Sequence, residues 1–213
     1  RRVHGRHHFD CSMEMKLLNG KVPVYLSTKP SAFSLFQLQN LYTTCNHLPH
    51  RSRSLPQQRT AGWPQIDDNR LQLALSRSVI TVSVFADSDP RSNESAPIPL
   101  RMKSFLHQAK SPIQALSPDR ELVGFGRAVS DLGLTAAIYD VMVSPPWRRL
   151  GIGKMIVERI VRMLVAKDIY DISILSSPDH RPFFESCGFG DDFLGSTTMM
   201  LTLQKPESDS LMV

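Results

Sequence analysis

The 213-residue sequence predicts a single α/β domain, of the α+β kind, on a mixed central sheet of about six to seven strands flanked by helices. Three observations carry this expectation. Leu134–Val143 and Ile172–Leu175 read as strands on either side of a long amphipathic stretch, Gly151–Lys167, and a strand–helix–strand unit requires a parallel crossover. Glu121–Val129 and Leu134–Val143 are joined through Asp131-Leu132-Gly133, which closes an antiparallel hairpin. The length suits one ordinary core, and no internal repeat divides the chain.

Taken in order, residues 1–20 show no sustained periodicity and read as a basic, disordered leader. The apolar run Val22–Leu26 predicts a first strand, ended by Thr28-Lys29-Pro30. Ser31–Leu48 then reads as a capped helix, with Phe33, Phe36, Leu38, Leu41 and Tyr42 at helical spacing and Pro49 as its stop. A loop rich in Pro, Arg, Gln and Ser leads to a short helix over Asp67–Ser76, and the β-branched run Val79–Phe85 is the next strand. Residues 87–118, dense in Pro, Ser and polar side chains, read as a long mobile insertion between strands. After Ile172–Leu175 come a short helix near Asp179–Cys187, a turn over Gly188–Asp192 and a last strand at Thr197–Leu203. The domain is thus expected over residues 21–205, with a tail over 206–213.

Composition bounds the function. No stretch approaches the roughly 18 consecutive apolar residues of a membrane span, so a soluble globular protein is expected. The net charge of +5 is all N-terminal, since residues 1–90 hold 11 Lys/Arg against 6 Asp/Glu and the remainder is balanced at 14 against 14. Those cations form no run and interleave with no aromatic ladder, which argues against a nucleic-acid partner. Cys11, Cys45 and Cys187 are odd in number and widely spaced, so neither a disulfide framework nor a zinc site is indicated. His7, His8 and Cys11 are read as incidental, and no metal is expected. The Arg-rich start lacks an initiator Met and an apolar signal core, a pattern compatible with a processed chain or an organelle transit segment.

The chemistry is concentrated between Asp140 and Lys154. A strand ends at Val143, Pro145-Pro146 forbid its continuation, and Gly151 and Gly153 stand where the chain turns tightly into a helix. That helix carries Ile152, Met155, Ile156, Ile160, Met163 and Leu164 on one stripe, which is core. Its first turn leaves backbone N–H groups unpaired at the positive end of the helix dipole, an anion site. Arg148, Arg149 and Lys154 surround it with charge suited to a pyrophosphate. A phosphate-binding P-loop would need Gly at Arg148 and Ser or Thr at Met155, and a dinucleotide fingerprint starting at Gly151 would need Gly or Ala at Ile156. The pattern present is Arg148-x-x-Gly151-x-Gly153.

With that motif the chain resembles the GNAT superfamily of N-acetyltransferases. The likeness extends to the hairpin over 122–131, the strand Ile138–Val143 and the ending Phe183–Phe189, covers residues 75–203 well, and looks most like plant plastid acetyltransferases of protein N-termini and lysines, some described as serotonin N-acetyltransferases. The resemblance implies acetyl-CoA as co-substrate and a chloroplast setting. It makes Val141, Met142 and Val143 the edge that pairs with the pantetheine arm, and Arg149, Leu150, Gly151, Ile152, Gly153 and Lys154, beside Arg148, the pyrophosphate turn. A backbone N–H near Met142 or Val143 would face the thioester oxygen. Asp140, with Tyr139 beside it, is the first candidate for the base that frees the attacking amine.

Two positions depart from the family. Phe184 stands where many members have the Tyr that protonates the departing sulfur, and Ser177 replaces an Asn that contacts the coenzyme. Both are expected at the coenzyme site, in a slow enzyme rather than a dead one. Cys187 has no His placed in sequence to activate it and needs no role as nucleophile. Three readings follow: transfer to protein or peptide amines; transfer to a small arylalkylamine in an aromatic pocket supplied by Phe33, Phe36, Tyr42 and Trp63; or an acyl-CoA-binding module with weak catalysis.

Overall fold

Seven consecutive buried residues, Ile80–Ala86, need cover on both faces, and they form β3 inside the sheet. The computed structural model describes residues 14–18, 22–47, 67–87, 120–192 and 195. Among these residues six strands lie in the order β1 (Glu14–Leu18), β2 (Val22–Ser27), β3, β4 (Glu121–Ser130), β5 (Thr135–Val143) and β6 (Asp171–Ile174). Pairing is antiparallel from β1 through β5 and parallel between β5 and β6, the mixed sheet that the hairpin and the crossover require.

Four helices among the described residues flank it: α1 (Leu35–Thr44), α2 (Asp68–Ser76), α3 (Ile152–Val165) and α4 (Arg181–Glu185). The α3 stripe of Ile152, Ile156, Ile160 and Leu164 packs on one face with Val82, Val84, Val123 and Ile138. Leu38, Leu41 and Tyr42 of α1 and Leu71 of α2 cover the other with Phe85, Leu122, Phe125 and Met142. The active region therefore has a core on each side.

Two expectations change. Residues 14–18, read as the end of a leader, form β1 and pair with β2, and Glu14 reaches Arg159 of α3 at 3.6 Å. A strand of five residues with charges at alternate positions carries little periodicity of its own, so its partner defines it. The first helix begins at Leu35, not near Ser31, because Ser34 and Gln37 close a capping box and Pro30–Ala32 make a separate turn. The insertion at 88–118, Trp63, the residues before 14 and the strand over 197–203 lie outside the described residues.

Asp131 closes the β4–β5 hairpin by accepting the N–H groups of Gly133, Leu134 and Thr135 at 2.9, 2.8 and 3.1 Å. Those bonds hold its carboxyl below the usual carboxylate range. On the α3 face, Gly126 of β4 lets α3 come close, since an added Cβ would lie 2.6 Å from Cγ2 of Ile156. Gly126→Ala should therefore lift α3 from the sheet and destabilise by about 1–3 kcal/mol. An unchanged thermal midpoint would show that the helix can retreat freely.

Candidate active site

Strand β5 outruns its partner. It pairs with β6 only over Thr135–Ile138 against Asp171–Ile174, and then continues through Tyr139 to Val143 without that neighbour. A gap opens at the carboxyl ends of two parallel strands, the place where α/β sheets take ligands. Its β5 side is the backbone of Val141, Met142 and Val143. Met142 is buried toward α1, and Val141 and Val143 pack toward α3. The β4–β5 register shifts between Phe125 and Arg127, and across from the shift Asp140 takes φ 54°, a left-handed value rare for a residue with a side chain. This bulge gives Tyr139 and Asp140 the same side of the sheet, with Asp140 reaching α1.

Helix α3 starts at the end of that gap. Gly151 is its cap at φ 88° and Arg149 lies at φ 65°, so the turn is left-handed twice within three residues. The first helical bond runs from the Met155 N–H to the Gly151 carbonyl at 3.0 Å, which leaves the N–H groups of 152–154 without an intrahelical acceptor. No side chain caps this end. Arg149 and Lys154 are exposed beside it. Arg148 is engaged elsewhere: its Nε donates to the Val143 carbonyl at 3.0 Å and its guanidinium contacts Cys45. Leu150 and Ile152 turn their side chains into the core, so only their backbone faces the turn. Gly153 has a packing role, because an added Cβ would stand 3.1 Å from Cζ of Phe183.

Across the sheet, α1 meets the bulge through a polar cluster in an apolar surround. Asp140, 7% exposed at its side chain, receives Arg127 Nε on one carboxylate oxygen at 2.5 Å and His47 Nε2 on the other at 3.3 Å. The buried Tyr42 hydroxyl donates to the same carboxylate, and Arg127 also donates to Ser78 Oγ at 3.3 Å and stands over the Tyr139 ring at 5.1 Å. Burial disfavours the Asp140 charge, but the bonds from His47, Arg127 and Tyr42 and the Arg127 charge outweigh it and hold the carboxyl below the usual range. Burial and the neighbouring carboxylate keep the Tyr42 hydroxyl protonated far above the usual phenol range.

A gap beyond a parallel pair, a left-handed glycine turn and an uncapped helix start form one constellation among the described residues. The profile of the Acetyltransferase (GNAT) family matches residues 81–189. The chain belongs to the GNAT acetyltransferase family. It is 43% identical over 200 residues, 85% of this chain and 83% of the relative, to "GCN5-related N-acetyltransferase 3, chloroplastic" of Arabidopsis thaliana. It is 37% identical over 82 residues, 38% of this chain and 47% of the relative, to "Uncharacterized N-acetyltransferase ycf52" of Pyropia yezoensis. A probable acetyltransferase from meticillin-resistant Staphylococcus aureus shares the fold at TM-score 0.53 and 14% identity, over 84% of this chain and 99% of that one.

GNAT enzymes transfer an acetyl group from acetyl-CoA. Phe184 stacks edge-on to Phe183 at 4.8 Å and to Phe189 at 6.3 Å. Phe183 stands beside the start of α3 and Phe184 packs on it, so position 184 offers apolar contact and no proton. Ser177 Oγ bonds Nδ1 of His180 at 2.8 Å, which gives the hydroxyl a local partner. Burial pushes the thiols of Cys187 and Cys45 up, so neither is the thiolate that nucleophilic catalysis needs. Among the described residues no group of three His, Cys, Asp or Glu could hold a metal.

The expected aromatic pocket does not assemble from the described residues. Phe36 is 70% exposed, Phe33 packs edge-on to Phe125 at 5.3 Å in the core, and Tyr42 is committed to Asp140. A half-open cavity of about 240 Å³ lies instead between Gln37, Asn40, Leu41 and Thr44 of α1 and Arg120, Glu121 and Leu122 at the start of β4, with Ser144 beside them. None of its described lining residues is aromatic. Sequence reading assigns His47 and Arg127 no role, and places Tyr42 in an aromatic pocket and Phe183 only in the family-like ending; the one local signal is Arg127, the lone cation of β4.

Proposed function

We propose that this GNAT enzyme acetylates protein amines, N-terminal α-amines or lysine ε-amines, in the chloroplast, by direct attack of the amine on acetyl-CoA. The observation that supports the amine class is the cavity beside α1: it is polar, bears the exposed carboxylate of Glu121, and has among its described lining residues no ring that would confine a small arylalkylamine. The chloroplast assignment rests on the likeness to the chloroplastic relative at 43% identity.

In this reading the Val141–Val143 edge binds the pantetheine amides, and the N–H groups of 152–154 with Arg149 and Lys154 hold the pyrophosphate. Arg148 fixes the end of β5 rather than a phosphate, since its Nε is held by the Val143 carbonyl. Phe183 and Phe184 exclude water from the sulfur. Asp140 has both oxygens engaged and sits too deep to receive the amine's proton, so its part is to hold the charged cluster together.

Incubation with acetyl-CoA and a proteome-derived peptide pool, read by mass spectrometry, tests the substrate class. Acetylated α- or ε-amines at rates above those on serotonin-like amines are expected. Peptide rates at background beside rapid small-amine turnover would transfer the enzyme to the other class, and tight coenzyme binding with no product would make it a binding module. A second measurement addresses the missing acid. A general acid is typically worth about 10²–10⁴-fold, but a thiol of pKa about 8.5 already leaves tolerably as its thiolate. Phe184→Tyr should raise kcat a few-fold at saturating acetyl-CoA. No rise would mean that the departure of sulfur is not limiting.

A further inference from the structure

We propose that His47 takes the proton from the incoming ammonium group, with Asp140 as the positioning residue that orients its ring; this rests on the amine-transfer reading above. Asp140 immediately precedes the open β5 edge, and His47 reaches its carboxylate from the turn after α1. An ionised carboxylate only accepts hydrogen bonds, so His47 Nε2 must be the donor at 3.3 Å. In the neutral ring Nδ1 then keeps its lone pair. The His47 side chain is 36% exposed, whereas Asp140 is 7% exposed, so an amine can reach the first and not the second.

The other groups facing this point do not serve. Tyr42, from α1, packs against the imidazole with ring centroids 5.7 Å apart and is buried with its hydroxyl on Asp140. Arg127, from β4, lies behind the carboxylate and has no acceptor. Arg127 anchors Asp140 and Asp140 anchors His47, the base-and-orienter arrangement that acid–base sites use.

The proton balance is simple. Nδ1 takes one proton from the ammonium, and the free amine attacks the thioester carbon, forming the C–N bond as the C–S bond breaks with its electron pair on sulfur. The second amine proton ends on the departing thiolate, and the imidazolium returns the first to solvent.

The test uses the full chain, saturating acetyl-CoA and a hexapeptide bearing a free α-amine and one lysine. His47→Gln is expected to lower turnover at least about tenfold, in line with general-base catalysis, with acetyl-CoA affinity by calorimetry unchanged. The acid limb of its pH–rate profile should move to that of the peptide amine itself. His47→Ala should be rescued in part by imidazole in the buffer, which a merely structural residue would not show. Wild-type turnover with an unchanged profile, or a loss with neither an altered profile nor rescue, overturns the assignment of His47 alone. Wild-type protein that binds acetyl-CoA and leaves the peptide unmodified overturns the functional reading, and this inference with it.

Discussion

Arg127→Met is expected to destabilise the protein by about 3–5 kcal/mol, the cost of stripping a buried charge of its partner and a large share of an ordinary domain's 5–15 kcal/mol. The side chains of Arg127 and Asp140 are 14% and 7% exposed, so water cannot replace the guanidinium. With the pair intact, Asp140 ionises below its ordinary value. Its ionised form therefore contributes stability that is present above the unfolded pKa, near 3.8, and lost as pH falls through the lower folded value. Removing Arg127 should raise the folded value, because only the bonds from His47 and Tyr42 then oppose burial. The variant's Asp140 protonates at higher pH than the wild type's, so acid costs the variant less. Urea unfolding at pH 7 and near pH 4.5 should thus show the gap between wild type and variant narrowing in acid. Arg127→Met with Asp140→Asn should cost less than the two single changes summed, by more than 1 kcal/mol. Additive losses would show that the two side chains are not energetically paired.

This cluster is also where sequence reading stops. The hairpin at Asp131, the helix α3 and the glycine turn are local, each declared within about 15 residues by periodicity or by a residue that only one backbone conformation suits. The β4–β5 bulge is not local. Asp140 reads as an ordinary strand residue until the structure shows φ 54° and a carboxylate bonded to His47, 93 residues away in sequence. Spacing could rank Asp140 as a base only because it could not show that both oxygens are occupied. Phe36 illustrates the same limit in α1: helical spacing grouped it with Leu38 and Leu41, but the capping box at Ser34 fixes the helix phase that leaves it 70% exposed. Gly153 was legible as a tight position, but its neighbour, the ring of Phe183, comes from beyond α3 and β6.

The largest effect on coenzyme binding is expected from Arg149→Ala combined with Lys154→Ala. Both cations are exposed beside N–H groups that the helix cannot satisfy, and neither makes an ion pair within 4.0 Å to a described residue. They are therefore free to meet an anion, whereas Arg148 is held at the Val143 carbonyl. Charge-assisted hydrogen bonds contribute about 1.5–3 kcal/mol each, and solvent screening favours the low end, so the double change should raise the Kd for acetyl-CoA about 100-fold. Arg148→Ala should act differently, loosening the end of β5 and lowering the melting temperature more than the affinity per charge removed. Calorimetry at two salt concentrations separates the two effects: the affinity of the wild type should fall with salt, and that of the Arg149/Lys154 variant should be nearly flat. If Arg148→Ala instead weakened acetyl-CoA binding as much as the double change while leaving stability intact, the pyrophosphate would sit one turn closer to β5 than the open N–H groups of α3 indicate.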